Sequence, residues 1–349
     1  LWEMTDSSDA DANGKPDMGQ TWSKPVLGRI KVLNGGTVQD QWVVLLGGGF
    51  DPAQSNSTGN AFYILDATTG KVLYKVQSGR NGTGSSVLFG SMPATAAAVD
   101  INDSGYIDIV YIGDTKGQMW KVDLRPDATA TPPRGVLSGG KVSGYAPFLL
   151  FFHNDPTAPH QVFFEPTVVL VSTTSAGKKN FGIAFGSGDR ENLLDPTLTN
   201  ERFYFVLDDG QTTTETDADL TTITPTSPVL TSAPARGWVL RYANGNEKTT
   251  SLALVAKGFL IFTTFTPIES SLCTPIGRAT RYAVFYLTGN PLPGGSRSED
   301  LGKGAGLSQF QTVTGKGELI TAAETTYQVY KLSPTKESIG STIRNWKEQ

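Results

Sequence analysis

Short, apolar, β-rich runs closed by Gly, Asp or Asn recur along this chain and constrain its fold more than any other feature. Residues 42–46 end in Gly47-Gly48-Gly49, 61–65 in Asp66, and 107–112 in Gly113-Asp114, while 119–124 follow Lys116-Gly117. The series continues through 168–171, 181–185, 203–207, 237–242, 259–265 and 282–287. Helix-period patterns of useful length are nearly missing, so the expectation is an all-β sandwich, barrel or propeller. An internal repeat selects the propeller. Pro25 opens a run that passes through 42–49 to Asp66, and Pro166 opens a matching run through 181–188 to Asp208. A partial copy leads from Pro93 through Asp114 to Asp123. A period of ~40–50 residues with about four strands is a blade signature, and the length then holds roughly seven or eight blades. Strands covered on both faces by neighbouring blades need apolar residues on both, which fits runs that do not alternate cleanly.

Composition narrows the function classes. Twenty-nine Lys and Arg against 33 Asp and Glu give a net charge of −4 without basic clusters, which argues against nucleic acid as a partner. No apolar run approaches the ~18 residues of a membrane helix. A hydrophobic content of 38 % suffices for a real core. The single cysteine, Cys273, allows no internal disulfide, which fits a cytosolic protein or a secreted bacterial domain large enough to need no staple. The chain opens at Leu1 rather than Met and is read as a fragment of a larger protein, with residues 1–349 forming one propeller domain. Three segments, 211–234, 125–145 and 291–303, are rich in Thr, Pro or Gly and are expected to be long loop insertions.

The strongest chemical signal is Asp100-Ile-Asn102-Asp-Ser104-Gly105-Tyr106-Ile-Asp108. Oxygen donors at the first, third and fifth positions turn inward when a chain wraps a cation. Tyr106 at the seventh offers its main-chain carbonyl, Gly105 allows the sharp turn, and Asp108 closes the shell. Tyr111 stands where an EF-hand has its closing Glu, and the flanks read as strands. The expectation is a calcium loop in a β-hairpin; an Asx-rich turn without metal would use the same residue types. The same spacing recurs at Asp9, Asp11, Asn13, Lys15 and Asp17, with Lys15 donating through its carbonyl. It predicts a second calcium site, against which stands its place near the start of the chain.

Other candidates are bland. His153 and His160 are the only histidines and lack the spacing of a zinc site or a catalytic triad. Gly186-Ser187-Gly188-Asp189-Arg190 reads as a strand end entering a turn rather than an anion nest. Trp22, Trp42, Trp120, Trp238 and Trp346 are expected to pack in the core.

Residues 100–124, DINDSGYIDIVYIGDTKGQMWKVDL, resemble the signature of the PilY/PilC family of type IV pilus-tip proteins. The similarity extends in order along the chain: Leu1-Trp2-Glu3 with Gly19 to Pro25, Tyr63 to Asp66 with Thr69-Gly70-Lys71, Gly186 to Arg190, Gly237-Trp238, Glu247-Lys248, Phe262 to Phe265, Cys273, and Arg344 with Trp346-Lys347-Glu348. The resemblance implies an all-β, modified propeller of about seven blades, forming the C-terminal domain of a larger surface protein. It implies calcium on Asp100, Asn102, Ser104, Tyr106 and Asp108, regulating pilus extension against retraction. It also implies a place at the pilus tip outside the cell, and roles in assembly, twitching and adhesion. The partners would be pilus components (minor pilins), a surface or host ligand, and the N-terminal region of the same protein. Ser104 stands where Asp is commoner in the family, which removes a charge, and no Arg-Gly-Asp triplet supports integrin recognition. Two other propeller classes compete. Asp66-x-x-Thr69-Gly70 with Tyr74 faintly resembles a quinoprotein dehydrogenase repeat, and an integrin-α-like binding propeller would carry calcium loops in successive blades.

Overall fold

Turn-punctuated apolar runs satisfy their backbone groups by pairing with their sequence neighbours, and here they do so as antiparallel meanders. The computed structural model describes residues 2–8, 14–77, 89–154, 160–268, 276–303, 310–313, 318–323 and 326–331. They fall into two compact units, one ending at Phe152 and one starting at His153. Among the described residues there is no α-helix, and the one helical element is a 3₁₀ turn at Asp217–Asp219.

In the first unit β1 (Val26–Asn34), β2 (Thr37–Gly47), β3 (Ala61–Asp66) and β4 (Val72–Gln77) pair in the order β4-β3-β2-β1. A second sheet contains β5 (Ala97–Val99), β6 (Ile109–Gly113) and β7 (Gln118–Asp123). The chain then makes a hairpin of β8 (Val136–Ser138) and β9 (Lys141–Ser143), which extends the first sheet where Leu33 pairs parallel with Val136. It returns as β10 (Phe148–Phe152), giving the order β5-β6-β7-β10. β6 is buried throughout and β3 nearly so, whereas β1 alternates, with Ile30 and Val32 inward and Leu27 outward. Ile30, Leu45, Phe62, Ile64, Ile112 and Trp120 belong to one apolar cluster.

The second unit repeats the plan. β11 (Thr167–Thr173), β12 (Lys179–Gly186) and β13 (Arg202–Asp208) form its first three strands. Short strands β14 (Glu215–Thr216) and β15 (Thr221–Ile223) precede β16 (Gly237–Arg241), and the order is β11-β12-β13-β16-β15. A further sheet joins β17 (Lys248–Thr249), β19 (Phe259–Ile268), β20 (Ile276–Phe285) and β21 (Ser298–Lys303), with β18 (Leu254–Ala256) also on β19. The last described sheet is β22 (Phe310–Val313), β23 (Glu318–Ala323) and β24 (Thr326–Lys331). The runs opened by Pro25 and Pro166 thus become equivalent meanders, β1-β2-β3 and β11-β12-β13, each completed by a fourth strand.

Two expectations need correcting. The segments read as plain loop insertions carry β8 and β9, β14 and β15, and β21. The first four have two or three residues and β21, though six long, is mostly polar; such strands add to an edge that already exists and need no apolar pattern of their own. Trp120 and Trp238 are buried, but Trp22 and Trp42 are exposed. Trp42 lies on the outward face of β2, opposite Arg29 of β1, where strand alternation puts it beyond the core. Trp346 and Cys273 lie outside the described residues.

Trp238 anchors the second unit, donating its indole N–H to the Tyr286 carbonyl at 2.8 Å and stacking on Phe205 at 5.7 Å. Its neighbour Gly237 has φ +106°, and a Cβ there would lie 1.9 Å from the Phe205 carbonyl oxygen. The β13–β16 pairing therefore demands glycine. Gly237→Ala is expected to lower stability by upwards of about 1 kcal/mol, read as an earlier midpoint in urea unfolding; an unchanged midpoint would show that β16 shifts at no cost.

Candidate metal loop

The hairpin between β5 and β6 positions the first candidate site. Val99 pairs with Ile109, and the Asp108 N–H donates to the Val99 carbonyl at 2.8 Å. The Asp108 carbonyl in turn accepts from the Leu124 N–H at 2.8 Å, tying the loop to the end of β7. Residues 100–108 therefore form a closed loop between strands, as their spacing predicts.

Local hydrogen bonds set its shape. Asp100 Oδ1 accepts the N–H groups of Asn102 at 3.2 Å and Ser104 at 3.1 Å, and Oδ2 accepts that of Gly105 at 2.6 Å. Asp108 Oδ2 accepts the Ile101 N–H at 2.8 Å. Asp103 and Gly105 take left-handed conformations, φ +59° and +82°, which let the chain reverse so sharply. Burial pushes the Asp108 carboxyl above its ordinary value; the charges of Asp100 and Asp123 add to this, while the Ile101 N–H and Arg125 oppose it. Asp123 itself is bound by Arg125.

These residues fit a calcium ion. A carboxylate has about four acceptor sites, so three N–H bonds leave Asp100 room for a cation. Asn102 and Ser104 are exposed, and their side chains make no hydrogen bond among the described residues. A divalent ion would relieve the repulsion felt by Asp108. Among the described residues no group of three or more His, Cys, Asp and Glu is arranged to hold a metal. The loop offers two expected carboxylates, so its shell would depend on neutral oxygens as well. The Tyr106 side chain turns away to bond Asp40, consistent with a main-chain role at that position.

The second candidate is placed differently. Asp9, Asp11 and Asn13 lie outside the described residues. The Lys15 ammonium donates to Ser57 Oγ at 2.9 Å. Asp17 is buried, and its carboxylate accepts from Lys75 at 2.5 Å, Gln77 at 2.5 Å and Ser8 at 2.6 Å. Lys75 also binds Asp6 at 2.6 Å, and Tyr63 donates to Asp6 at 2.8 Å. Burial raises the Asp6 carboxyl, but the bonds from Lys75, Ser8 and Tyr63 outweigh it and hold the group below its ordinary value. A calcium ion using Asp17 would have to compete with the Lys75 ammonium. Sequence spacing gave no sign of this clamp, because Lys75 stands 69 residues from Asp6.

The other motifs serve the scaffold. His160 Nδ1 meets Glu201 Oε2 at 2.9 Å, and the His153 ring packs edge-on against His160. Asp189 caps the turn after β12 through the N–H groups of Glu191 and Asn192. Asp66 caps its own turn at Thr68 and Thr69, and Tyr74 donates to the Tyr145 carbonyl, so the quinoprotein-like residues are engaged in structural bonds.

Repeated four-stranded antiparallel meanders define the β-propeller class. The fold is that of the crystal structure of the Pseudomonas aeruginosa PilY1 C-terminal domain, with a TM-score of 0.62 at 17 % identity over 92 % of this chain and 73 % of that one. The family model of the PilY1 beta-propeller domain matches residues 1–226, and the chain belongs to that family. The type IV pilus biogenesis factor PilY1 of P. aeruginosa strain PAO1 is 27 % identical over 197 residues, 54 % of this chain and 15 % of its own length. A PilY1 homolog from Xylella fastidiosa is 25 % identical over 317 residues, 83 % of this chain and 20 % of its own. The match thus spans a fifth or less of these relatives' length.

The Gly113-Asp114 pair at the far end of β6 from the loop holds the turn into β7. Asp114 is fully buried and accepts N–H bonds from Gly90, Lys116, Gln118 and the Trp120 indole. Burial pushes its carboxyl up to about 6 although all four donors pull it down. A folded value above the ordinary 3.8 means that folding favours the neutral acid. This contribution is complete below the ordinary value and is lost as pH rises through about 6. The stability of wild type minus that of Asp114→Asn is therefore expected to fall between these pH values in stepped urea titrations. A flat difference would mean that the four donors cancel the burial.

Proposed function

We propose that this chain is a calcium-responsive, non-enzymatic propeller of a type IV pilus biogenesis protein, working outside the cell at the pilus tip. Its membership of the PilY1 family and the names of its relatives support the pilus part. The observation that carries the calcium part is the loop of Asp100, Asn102, Ser104, Tyr106 and Asp108, which closes a β-hairpin with two carboxylates and two polar side chains that make no hydrogen bond among the described residues.

On this reading calcium neutralises Asp100 and Asp108, adds bonds from Asn102 and Ser104, and pins the loop. Removing it leaves like charges facing each other. The pinned form presents a surface competent for a minor pilin or an external ligand, and so biases pilus extension against retraction. An ion shifts such a balance only by its differential affinity for the two states. Adhesion and twitching would follow from the same switch. No helix among the described residues is long and apolar enough to cross a membrane.

Calorimetric titration of the metal-stripped chain should show saturable calcium binding, reduced in Asp108→Ala to whatever the 9–17 loop contributes, with the variant still folded. In cells, the same substitution in the full-length protein should change the number of surface pili. No heat in wild type would withdraw the calcium mechanism, and an unfolded Asp108→Ala would make the residue structural rather than regulatory.

A further inference from the structure

We infer that Tyr106 transmits the state of the metal loop to the outward face of β1 and β2, where Arg29 and Trp42 respond to it. The inference rests on the calcium reading above and adds the route by which the loop acts on a surface.

The route is visible in the contacts. Tyr106 is the one expected ligand of this loop that would bind through the main chain, so its side chain can act elsewhere. Its hydroxyl donates to Asp40 Oδ2 at 2.8 Å. The Arg29 guanidinium lies 4.8 Å from the Tyr106 ring centre and 5.4 Å from that of Trp42, bridging the two aromatics. Lys31 Nζ lies 4.5 Å from the Tyr106 ring centre. Register brings these groups together, since Arg29 stands opposite Trp42 and Lys31 opposite Asp40. The Arg29 carbonyl also accepts the Ile107 N–H at 2.7 Å, fixing the strand to the loop next to Tyr106.

The stack is held lightly. Arg29 Nε is buried without a hydrogen-bond partner, and the nearest carboxylate pairing of the guanidinium is Asp40 at 3.9 Å. Ring faces rather than strong acceptors hold this cation, so a small movement of Tyr106 re-sets its position. Trp42 is 48 % exposed and senses that position directly. Drawing the Tyr106 carbonyl onto an ion fixes the backbone that carries the ring beneath Arg29. Coupling of this kind is reciprocal, so cutting the link changes calcium affinity as well as the surface.

The test pairs calorimetry with tryptophan emission on the metal-stripped chain, titrated with calcium chloride. The expected result is a saturable emission change with the midpoint of the heat, lost in Trp42→Phe while the heat persists, and lost with the main-site heat in Asp108→Ala. Tyr106→Ala keeps the main-chain carbonyl and should retain calcium heat, with a several-fold altered midpoint and no Trp42 signal. Should that variant fail to fold, Arg29→Gln removes the bridging cation and must abolish the signal with heat retained. Heat in wild type without a Trp42-dependent signal overturns the coupling and leaves the calcium reading standing. A full signal in Tyr106→Ala or Arg29→Gln overturns the route. No heat in wild type overturns both.

Discussion

Burial of the central strands on both faces is the constraint from which the rest follows. β6 exposes no residue and β13 has only Leu207 short of full burial, so neither could persist in an isolated sheet. A meander with such strands at its centre needs cover from neighbouring elements, which is the logic of a structure assembled from repeated sheets. The scaffold is then occupied with packing. Chemistry is displaced to the connections at the strand ends, where Asp100 and Asp108 sit.

That division explains what was legible in the sequence. The central strands were readable because apolar runs between Gly, Asp and Asn leave few alternatives. The turn at residues 100–108 was equally readable as a closed loop between strands, since its Asx and Gly residues are local and its flanks are β-rich. Short edge strands such as β8 and β15 were not, because their pairing comes from the edge they join. The surface position of Trp42 was missed for a related reason. Composition marks an indole as core material, and only strand register shows which face it takes.

Contacts between distant residues were the least accessible. Asp6 and Lys75, His160 and Glu201, and Tyr106 and Asp40 are brought together by the meanders rather than by spacing. The Asp9-to-Asp17 motif illustrates the danger of spacing alone. Its closing carboxylate has the right position in the sequence but faces an ammonium, an amide and a hydroxyl. The Asp100-to-Asp108 motif has equal spacing, yet among the described residues its expected carboxylates bond backbone N–H groups and no basic side chain.

Lys75 has a wider implication. An ammonium attached to the chain is present at a fixed local concentration whatever the surrounding solution contains, so the corner around Asp6 and Asp17 carries its own counter-charge. Dilution, chelation or a swing in divalent ions leaves that counter-charge in place. The hairpin of residues 100–108 is served differently: Asp100 and Asp108 bond backbone N–H groups, and Arg125 acts on Asp108 through its charge without a hydrogen bond among the described residues. One corner of the scaffold thus holds a counter-charge in direct contact, while the other leaves its carboxylates to main-chain donors.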